Sequence, residues 1–553
     1  MPHHDKQHLS DLLELLQQYG LQEAVICPGS RSAPLTLAFA RQTQIRTSTA
    51  VDERAAAYIA LGKSLATAQP TALVCTSGTA LLNFAPAVAE AFYLRVPLLV
   101  LSADRPAAWV DQLDGQTIRQ DQVLANHTVF SATLPERSDT ELDRWHAARL
   151  VQEAWHKALQ LRGPVHLNIP LREPLYEALP TSHDLPKALQ WQAPLAQTEL
   201  PANLLERWLQ AKSILLVGGQ QAPNAKLQAA LQQVLKDPRV VLLSEPVNNL
   251  QGGIQQHEAI CATKPAQLQA DLLISWGEQV VSKQLKIWLR SYPASEHWRL
   301  GADGQIADLY RQLQMLVAID PTAFFSGIAQ LPAGSGHYQQ LWKHAEASIH
   351  HKIQSFFDTL PFGDLKVVSR IAQQLVATDA LHLGNSTPIR YWQMLQQPPA
   401  LAWLHSNRGT SGIDGVSSTA LGFASVVEQA TWLITGELSF VYDLNAFSSN
   451  ERPKNLKIIV INNGGGDIFR LIDGPSTQPE RETYFATPRN IDVQALAKGW
   501  GLTSYLATDE VSLQQGLQAL RNSQESCLLE VRTEPSVNQN VYKAYHQLIK
   551  SNA

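Results

Sequence analysis

Two polar, glycine-containing clusters follow apolar runs in the last third of the sequence. The first is Gly436–Glu437, after the run TWLIT, and the second is Asn462–Asn463 with three following glycines, after the run LKIIVI. If both runs are neighbouring parallel strands, the clusters lie together at the sheet edge where α/β proteins bind ligands. A carboxylate, an amide oxygen and a backbone carbonyl form an all-oxygen set suited to Mg²⁺, with positions left for phosphate oxygens. Two ordinary strand-to-helix turns are the alternative.

The two clusters resemble the cofactor motif of the thiamine-diphosphate-dependent enzymes, a Gly-Asp pair followed at a set distance by Asn-Asn. Asn463 follows Glu437 by 26 residues, which fits that spacing. The resemblance implies that Glu437, Asn463 and the carbonyl oxygen of Gly465 bind Mg²⁺ (or Mn²⁺), which in turn holds the diphosphate. The family has Asp where this chain has Glu437. Because Mg²⁺ tolerates little departure from octahedral geometry, we expect a shifted backbone or a different preferred metal.

An acidic residue in an apolar setting supplies the second half of the resemblance. Enzymes of this family place one carboxyl group against N1′ of the cofactor's aminopyrimidine ring, where the two share a proton. Such a group exchanges a proton near neutral pH when it sits in a water-poor place. Glu53, in the segment VDERAAAYIALG, precedes three alanines and Tyr58 and is predicted to be this group. The alternative is an acid at a helix N-terminus, favoured by the helix dipole.

The segments CPGSRS, HSNRGTSGIDG and GELSFVYDLN narrow the resemblance to the 2-succinyl-5-enolpyruvyl-6-hydroxy-3-cyclohexene-1-carboxylate synthase (SEPHCHC synthase) family. The likeness covers the first and last thirds of the chain and is weaker in the middle. It implies a cofactor-binding set made of Glu53, Ser386, Arg408, Ile413, Gly436, Leu438, Ser439 and Ile468. It implies a substrate-binding set made of Ser30, Arg31, Arg105, Gln116, Lys283, Arg390 and Phe469.

The resemblance implies a transferase that decarboxylates 2-oxoglutarate and adds the succinyl carbanion to isochorismate in a 1,4 sense, in menaquinone biosynthesis. The product stage of that reaction carries three carboxylates, so its site needs several guanidinium groups, which bind carboxylates bidentately and stay charged. Arg31, Arg105, Arg390 and Arg408 all fall in motif loops. Surface salt bridges are the alternative role for each arginine taken singly.

Three further roles follow from the resemblance. Ile413 matches the large apolar residue that holds the cofactor bent, which brings its reacting groups close together. Ile468 and Phe469 match an apolar wall that keeps water from the reacting carbons. Lys283 matches the first residue of a Lys-Arg pair above the substrate, but the second position is Gln284, so one cationic contact is missing or comes from elsewhere.

Short apolar runs alternate with amphipathic stretches, which predicts an α/β fold with parallel sheets. The runs form three groups and predict three doubly wound domains, at 1–180, 200–335 and 360–553, which the resemblance names pyrimidine-binding, central and diphosphate-binding. A linker is expected at Glu177–Leu200, where Pro, Gln and Ala are frequent. The predicted strands contain EAVICPG, TALVCTSG, VPLLVLSAD, GPVHLNIP, SILLVGGQ, RVVLLSEP, DLLISWGE, ALHLGNS, TWLITGELS, LKIIVINNGG and SCLLEVRTEP, and the predicted helices include Glu53–Leu65, Leu81–Tyr93 and His337–Phe357.

Composition excludes several classes of protein. A net charge of −5 leaves no global basic field for nucleic acid or an anionic membrane surface. We expect no membrane span, since no apolar run approaches ~20 residues, and no secretory signal at the N-terminus. The four scattered cysteines lack metal-ligand spacing and predict reduced thiols in a cytoplasmic protein.

The resemblance also implies a homodimer or homotetramer, because this superfamily pairs the pyrimidine-binding domain of one subunit with the diphosphate-binding domain of another. Two alternatives stay open at the level of sequence. The first is another thiamine-diphosphate carboligase or 2-oxo acid decarboxylase, similar to acetolactate synthase. The second is a non-catalytic homologue, which the change from Asp to Glu437 would favour.

Overall fold

The computed structural model describes residues 6–180, 185–192 and 200–550 of the chain. Within them lie three sheets, and every strand pair in each sheet is parallel. Helices cover the sheets on both faces, as expected for strands that are buried along their whole length. The predicted α/β class with three parallel sheets is confirmed. The linker expected at Glu177–Leu200 lies partly outside the described residues.

The first sheet has six strands in the order β2-β1-β3-β4-β6-β5. The order reverses between β1 and β3, which makes the carboxyl ends of these strands a ligand-binding position in such folds. The strands are β1 (Glu23–Ile26), β2 (Arg46–Thr49), β3 (Thr71–Cys75), β4 (Leu98–Asp104), β5 (Phe130–Thr133) and β6 (Val165–Pro170). The α-helices of this part are α1 (Gln7–Gln18), α2 (Ala33–Arg41), α3 (Glu53–Thr67), α4 (Thr79–Asn83), α5 (Ala85–Leu94) and α6 (Glu141–Gln160).

The central sheet has five strands in the order β11-β10-β9-β7-β8. Its strands are β7 (Ile214–Gly218), β8 (Val240–Leu243), β9 (Leu272–Trp276), β10 (Glu296–Leu300) and β11 (Met315–Val317). Its helices are α7 (Ala202–Gln210), α8 (Ala225–Val234), α9 (His257–Ala262), α10 (Lys283–Ser291) and α11 (Pro321–Ile328). The long helix α12 (Tyr338–Asp358) follows, as predicted for that region, and leads to the last sheet.

The last sheet has six strands in the order β13-β12-β14-β15-β17-β16, which repeats the topology of the first sheet strand for strand. Its strands are β12 (Ala380–Leu383), β13 (Trp403–His405), β14 (Thr431–Gly436), β15 (Leu456–Asn462), β16 (Thr503–Ala507) and β17 (Cys527–Arg532). Its helices are α13 (Asp364–Gln374), α14 (Thr387–Met394), α15 (Val416–Ala424), α16 (Glu437–Tyr442), α17 (Ile468–Leu471), α18 (Val493–Gly499), α19 (Glu510–Asn522) and α20 (Pro535–Lys550).

The predicted apolar strands all form, and they include the edge strand β8. The sequence analysis missed the edge strands β2, β5, β11, β13 and β16 and the interior strand β10. Edge strands pair on one side only, so their sequences can carry fewer apolar residues, as RTST in β2 shows. The prediction of one continuous helix at Leu81–Tyr93 was wrong. It breaks between Asn83 and Ala85, because Pro86 has no N–H to donate to the preceding turn.

The first and last sheets of the chain are joined by a close crossing of α3 and α15. A Cβ on Gly62 would lie 2.0 Å from the Thr419 carbonyl oxygen, and one on Gly422 would lie 2.0 Å from that of Ile59. Both glycines therefore let the two backbones touch. Residues of both helices share one apolar core with β3, β14 and β15, so the first and last domains of a chain are fixed relative to each other.

Within the described ranges, no helix combines the length and the apolar character needed to cross a membrane. Cys27, Cys75, Cys261 and Cys527 are all buried free thiols, as predicted.

Candidate active site

Glu437 lies where the sequence placed it, at the carboxyl end of β14 and in the first position of α16. Its side chain is 1% exposed, and its Oε1 accepts the backbone N–H of Gly465 at 2.5 Å. Burial raises the pKa of Glu437 to about 7, although backbone hydrogen bonds oppose the shift. A cation beside this carboxylate would favour its charged form. Strands β14 and β15 are direct neighbours, with Gly436 paired to Ile461, so the two polar clusters do meet at one sheet edge.

Asn463 is held by a residue that the sequence analysis did not identify. Its Nδ2 donates to Asp364 at 2.9 Å, while its Oδ1 is buried and has no hydrogen-bond partner among the described residues. Asp364 is fully buried, and its other carboxylate oxygen accepts the hydroxyl of Thr533 at 2.6 Å. A buried amide oxygen without a partner is costly, and a metal ion would satisfy it.

The glycine run gives the backbone a shape that other residues would not take. Gly464 and Gly465 have φ values of +76° and +151°, and a Cβ on Gly465 would lie 2.6 Å from the Ala486 carbonyl oxygen. The Gly465 carbonyl accepts the N–H of Asp467 at 2.9 Å and keeps a second lone pair for a ligand. In the described part of the chain, no cluster of three or more His, Cys, Asp or Glu side chains is arranged to hold a metal. Glu437, the free Asn463 oxygen and this carbonyl fit a hard cation through mixed oxygen ligands.

Glu53 opens α3 after the N-cap residue Asp52, whose side chain accepts the N–H of Ala55 at 3.0 Å. The Glu53 side chain is half-buried. Tyr58 and the three alanines that follow Arg54 are buried, which agrees with the predicted apolar setting. Burial raises the pKa of Cys27, and the charge of Glu53 adds to that shift, so the two groups are near each other.

The amino end of α3 contacts the last domain of the same chain. Arg54 donates to the Tyr442 carbonyl at 2.6 Å and stacks on the Tyr442 ring, with 4.6 Å to the ring centroid. Tyr58 donates its hydroxyl to Asp414 at 2.8 Å. The segment that carries Ile413 is therefore tied to the helix that carries Glu53.

The predicted cofactor residues of the last domain surround one edge of its sheet. Ser386 follows β12 with φ +76°, a strained value for serine, of the kind that clusters at functional sites. Ser439 donates its hydroxyl to the Ile413 carbonyl at 2.6 Å, which fixes the turn under the 39%-exposed Ile413 side chain. Gly436 and Leu438, on either side of Glu437, are half-buried.

Arg31 and Arg105 form a pair in the first domain. Burial lowers the pKa of Arg31, and the neighbouring charge of Arg105 adds to the shift. Arg31 donates to the Leu171 carbonyl at 3.0 Å. Arg105 donates twice to the Gly115 carbonyl, at 2.8 and 3.0 Å, and pairs with Asp114 at 2.9 Å. Arg31 also pairs with Glu173 at 3.4 Å, so each of the two arginines has a carboxylate partner in this structure. An anionic substrate would have to compete with these carboxylates for the guanidinium groups.

Arg390 and Arg408 form a second pair in the last domain. Burial lowers the pKa of both guanidinium groups, and Arg390 further lowers that of Arg408. Arg390 donates to the Ser386 carbonyl at 2.5 Å, and Arg408 donates to Asn385 at 3.1 Å. The Nε of Arg408 is buried and has no partner among the described residues. Half-buried, mutually repelling cations of this kind gain from an anionic ligand.

Most of the remaining predicted residues are exposed or only half-buried. Ile468 is buried, while Phe469 is half-buried and lies with its ring centroid 5.8 Å from that of Phe485. Ser30 is exposed and hydrogen-bonds Tyr176 at 3.0 Å. Gln116 and Lys283 are exposed, Gln116 at φ +54° on the loop after β4. Their contacts with substrate remain predictions.

Several residues that shape the site were missed because only the fold brings them there. Asp364 is 99 residues from Asn463 in sequence. Gln120 is buried and holds the loop of Arg105 by accepting the Gly78 N–H at 2.7 Å. In the central domain, burial lowers the pKa of Lys286, with smaller contributions that include repulsion from Arg408. Lys286, one turn after Lys283 on α10, is therefore a cation within electrostatic reach of the second arginine pair.

The chain matches known proteins over nearly its whole length. The family model described as thiamine pyrophosphate enzyme, N-terminal TPP binding domain, matches residues 9–125, and the corresponding C-terminal TPP binding domain matches residues 384–531. A 2-succinyl-5-enolpyruvyl-6-hydroxy-3-cyclohexene-1-carboxylate synthase of Cytophaga hutchinsonii is 36% identical over 98% of this chain and 99% of its own length. The chain belongs to the SEPHCHC synthase family.

Other members of the SEPHCHC synthase family are similarly close. The proteins with this name from Flavobacterium johnsoniae and Desulfotalea psychrophila are 37% and 39% identical, over 97% and 90% of this chain and 97% and 93% of their own lengths. Glu53 falls in the N-terminal match, and Glu437 and Asn463 fall in the C-terminal match. The recognition of a thiamine-diphosphate enzyme of the SEPHCHC synthase family is confirmed.

Proposed function

We propose that this chain is a transferase that uses thiamine diphosphate to decarboxylate 2-oxoglutarate and adds the succinyl group to isochorismate. The products are CO₂ and 2-succinyl-5-enolpyruvyl-6-hydroxy-3-cyclohexene-1-carboxylate. This reaction is a step of menaquinone biosynthesis. The observation that carries the proposal is the identity to proteins named for this reaction along nearly the whole chain. The two arginine pairs suit its anionic substrates.

The cofactor, when bound, supplies an acidic C–H at its thiazolium ring and an electron sink for the decarboxylation. Glu53, half-buried at the start of α3, would share a proton with N1′ of the aminopyrimidine ring. Ile413, on the turn fixed by Ser439, would contact the cofactor and hold it bent. Ser386, Arg408, Gly436, Leu438 and Ile468 line the rest of its site.

A divalent cation, Mg²⁺ or Mn²⁺, belongs to the proposal as the link between chain and diphosphate. Its ligands are Glu437, Asn463 Oδ1 and the Gly465 carbonyl. The unpartnered, buried Asn463 oxygen supports this assignment. The cation would also offset the burial of the Glu437 carboxylate.

The arginines bind the carboxylates of the two substrates. Arg390 and Arg408 act from the last domain, and Arg31 and Arg105 act from the first, together with Ser30, Gln116 and Lys283. Arg forks bind carboxylates bidentately and hold each substrate in one orientation. Phe469 excludes water from the carbons that form the new bond.

We also propose that the active enzyme is a homodimer or a homotetramer, with each site built from the first domain of one subunit and the last domain of another. A cytoplasmic location is part of the proposal, and the four buried free thiols support it.

The experiment that tests the function is a substrate panel with the purified chain, thiamine diphosphate and Mg²⁺. Isochorismate-dependent consumption of 2-oxoglutarate supports the proposal. Turnover of pyruvate instead would indicate an acetolactate-type enzyme. If calorimetry detects no binding of thiamine diphosphate with either Mg²⁺ or Mn²⁺, the chain would be a non-catalytic homologue.

A further inference from the structure

A buried carboxylate of the first domain accepts hydrogen bonds from the loop that lies between Arg408 and Ile413. Glu90, on α5, is 1% exposed. Its Oε1 accepts the N–H of Gly409 at 2.7 Å, and its Oε2 accepts both the N–H and the hydroxyl of Thr410, at 2.7 and 2.6 Å. Burial raises the pKa of Glu90, while the three hydrogen bonds from Thr410 and Gly409 oppose that shift and favour the carboxylate. Hydrogen bonds to a carboxylate are about twice as strong as neutral ones.

The backbones of Glu90 and of the loop also approach each other closely. A Cβ on Gly409 would lie 2.6 Å from the Glu90 carbonyl oxygen, so the loop approaches α5 as nearly as glycine allows. Burial lowers the pKa of Arg408, and the negative charge of Glu90 opposes that shift. Glu90 therefore acts on the loop through both geometry and charge.

The same loop is held from its other side by the central domain. Gln279 donates to the Gly409 carbonyl at 2.9 Å and accepts the hydroxyl of Ser411 at 3.3 Å. Gln220 donates to the Ser406 carbonyl at 2.7 Å. All three domains thus meet at residues 406–411, which gives the central domain a role in shaping the site.

We infer that Glu90 is a positioning residue: it fixes the loop so that Arg408 and Ile413 meet the cofactor in one arrangement. The inference rests on the proposed function. Glu90 acts on these two side chains through its hydrogen bonds to the backbone N–H groups of Gly409 and Thr410. The chain orders this loop before the cofactor binds and so avoids part of the ordering cost of binding.

Glu90→Gln tests the inference with little change in size. The amide keeps one acceptor but turns an NH₂ group toward at least one of the three donors, which leaves buried donors unsatisfied. Thr410→Val is a milder second variant, since it removes the hydroxyl and keeps both backbone bonds. Glu23→Gln is the matched control: Glu23 is also a buried first-domain carboxylate, but its partners are Arg46 at 2.7 Å and Lys63 at 2.9 Å.

Two measurements on the full chain decide the matter. The first is hydrogen exchange of peptides covering residues 404–415 without cofactor, which we expect to be faster in Glu90→Gln and unchanged in Glu23→Gln. The second is the dissociation constant of thiamine diphosphate in saturating Mg²⁺, which we expect to rise by about tenfold or more in Glu90→Gln. Thr410→Val should lie between Glu90→Gln and the unaltered chain in both measurements.

Unchanged exchange in Glu90→Gln would overturn the inference, because Glu90 would not order the loop. Faster exchange with an unchanged dissociation constant would also overturn it, because loop order would not matter to the cofactor. If the unaltered chain fails to bind thiamine diphosphate, the proposed function is wrong and the inference falls with it, a result distinct from both others.

Discussion

Asp364 accepts the side-chain N–H of Asn463 at 2.9 Å, and this bond decides which end of the amide is left free. Burial raises the pKa of Asp364, while the hydrogen bonds from Thr533 and Asn463 oppose that shift and favour the carboxylate. An ionised carboxylate can only accept, so Nδ2 faces Asp364 and Oδ1 faces away from it. Asn463 Oδ1 is thereby presented as a ligand oxygen instead of a donor. Asp364 thus defines the chemistry of the candidate metal site without being one of its proposed ligands.

Asp364→Asn should weaken metal binding by about 10–100-fold, the usual effect of losing a residue that orients a metal ligand. An asparagine at this position can donate as well as accept, so the Asn463 amide is no longer held in one orientation. Titration of Mn²⁺ or Mg²⁺ with thiamine diphosphate present, followed by calorimetry, measures the change. Asp379→Asn is the control, since Asp379 is equally buried in the last domain but pairs with Arg521 at 2.7 Å. Equal metal affinity in the two variants would contradict the assignment.

Glu53→Gln should abolish turnover while cofactor binding largely survives. The amide keeps the shape of the side chain but cannot share a proton with the aminopyrimidine ring, and general acid–base groups contribute about 10²–10⁴-fold to rate. CO₂ release measures turnover, and calorimetry with thiamine diphosphate and Mg²⁺ measures binding. Full activity in this variant would refute the role of Glu53.

Arg390→Gln should raise the KM for substrate by about 10–100-fold, because one charge-assisted hydrogen bond to a carboxylate is lost. The cofactor affinity should change much less, since Arg390 is proposed to contact substrate. Steady-state kinetics at saturating cofactor measures the KM. The exposed Arg149, which pairs with Glu153 on α6, supplies Arg149→Gln as a control. A KM equal to that of the control would remove Arg390 from the substrate site.

Mixed oligomers test whether the sites lie between subunits. Chains with Glu53→Gln and chains with Asn463→Ala are each expected to be inactive alone. If a site joins Glu53 of one chain to Asn463 of another, a mixed dimer has one intact site, and random mixing of equal amounts restores about a quarter of full activity. Activity after unfolding and refolding the two variants together is the measurement. A failure to regain activity, with mixed dimers shown to form, would place both residues of a site in one chain.

The sequence predicted the positions of candidate site residues best where those residues lie at the ends of apolar strands. Glu437 and Asn463 end buried apolar runs, and parallel strands bring such ends to one edge, so their meeting follows from local pattern alone. The helical pattern of Glu53–Leu65 placed Glu53 at the start of a helix with a buried apolar face, and the family resemblance supplied its role. Strands β2 and β16 were missed because they are only partly buried and so lack a continuous apolar run, whereas the fully buried edge strand β8 was predicted.

The residues that support the site were not predictable in the same way. Asp364 and Glu90 lie in ordinary helical sequences, and their partners are 99 and 319 or more residues away. Their roles come from burial and from contacts between distant elements or domains. Lys286 illustrates the same limit. Lys283 matched the family pattern, yet burial lowers the pKa of Lys286, and the charge of Arg408 adds to that shift.

The central claim is that the chain consumes 2-oxoglutarate only to transfer its succinyl group. Release of CO₂ from 2-oxoglutarate, followed with and without isochorismate in the presence of thiamine diphosphate and Mg²⁺, tests it most directly. The account predicts rapid release that depends on isochorismate and is lost in Glu53→Gln. Release from pyruvate but not from 2-oxoglutarate, or no release with both substrates present, would contradict it.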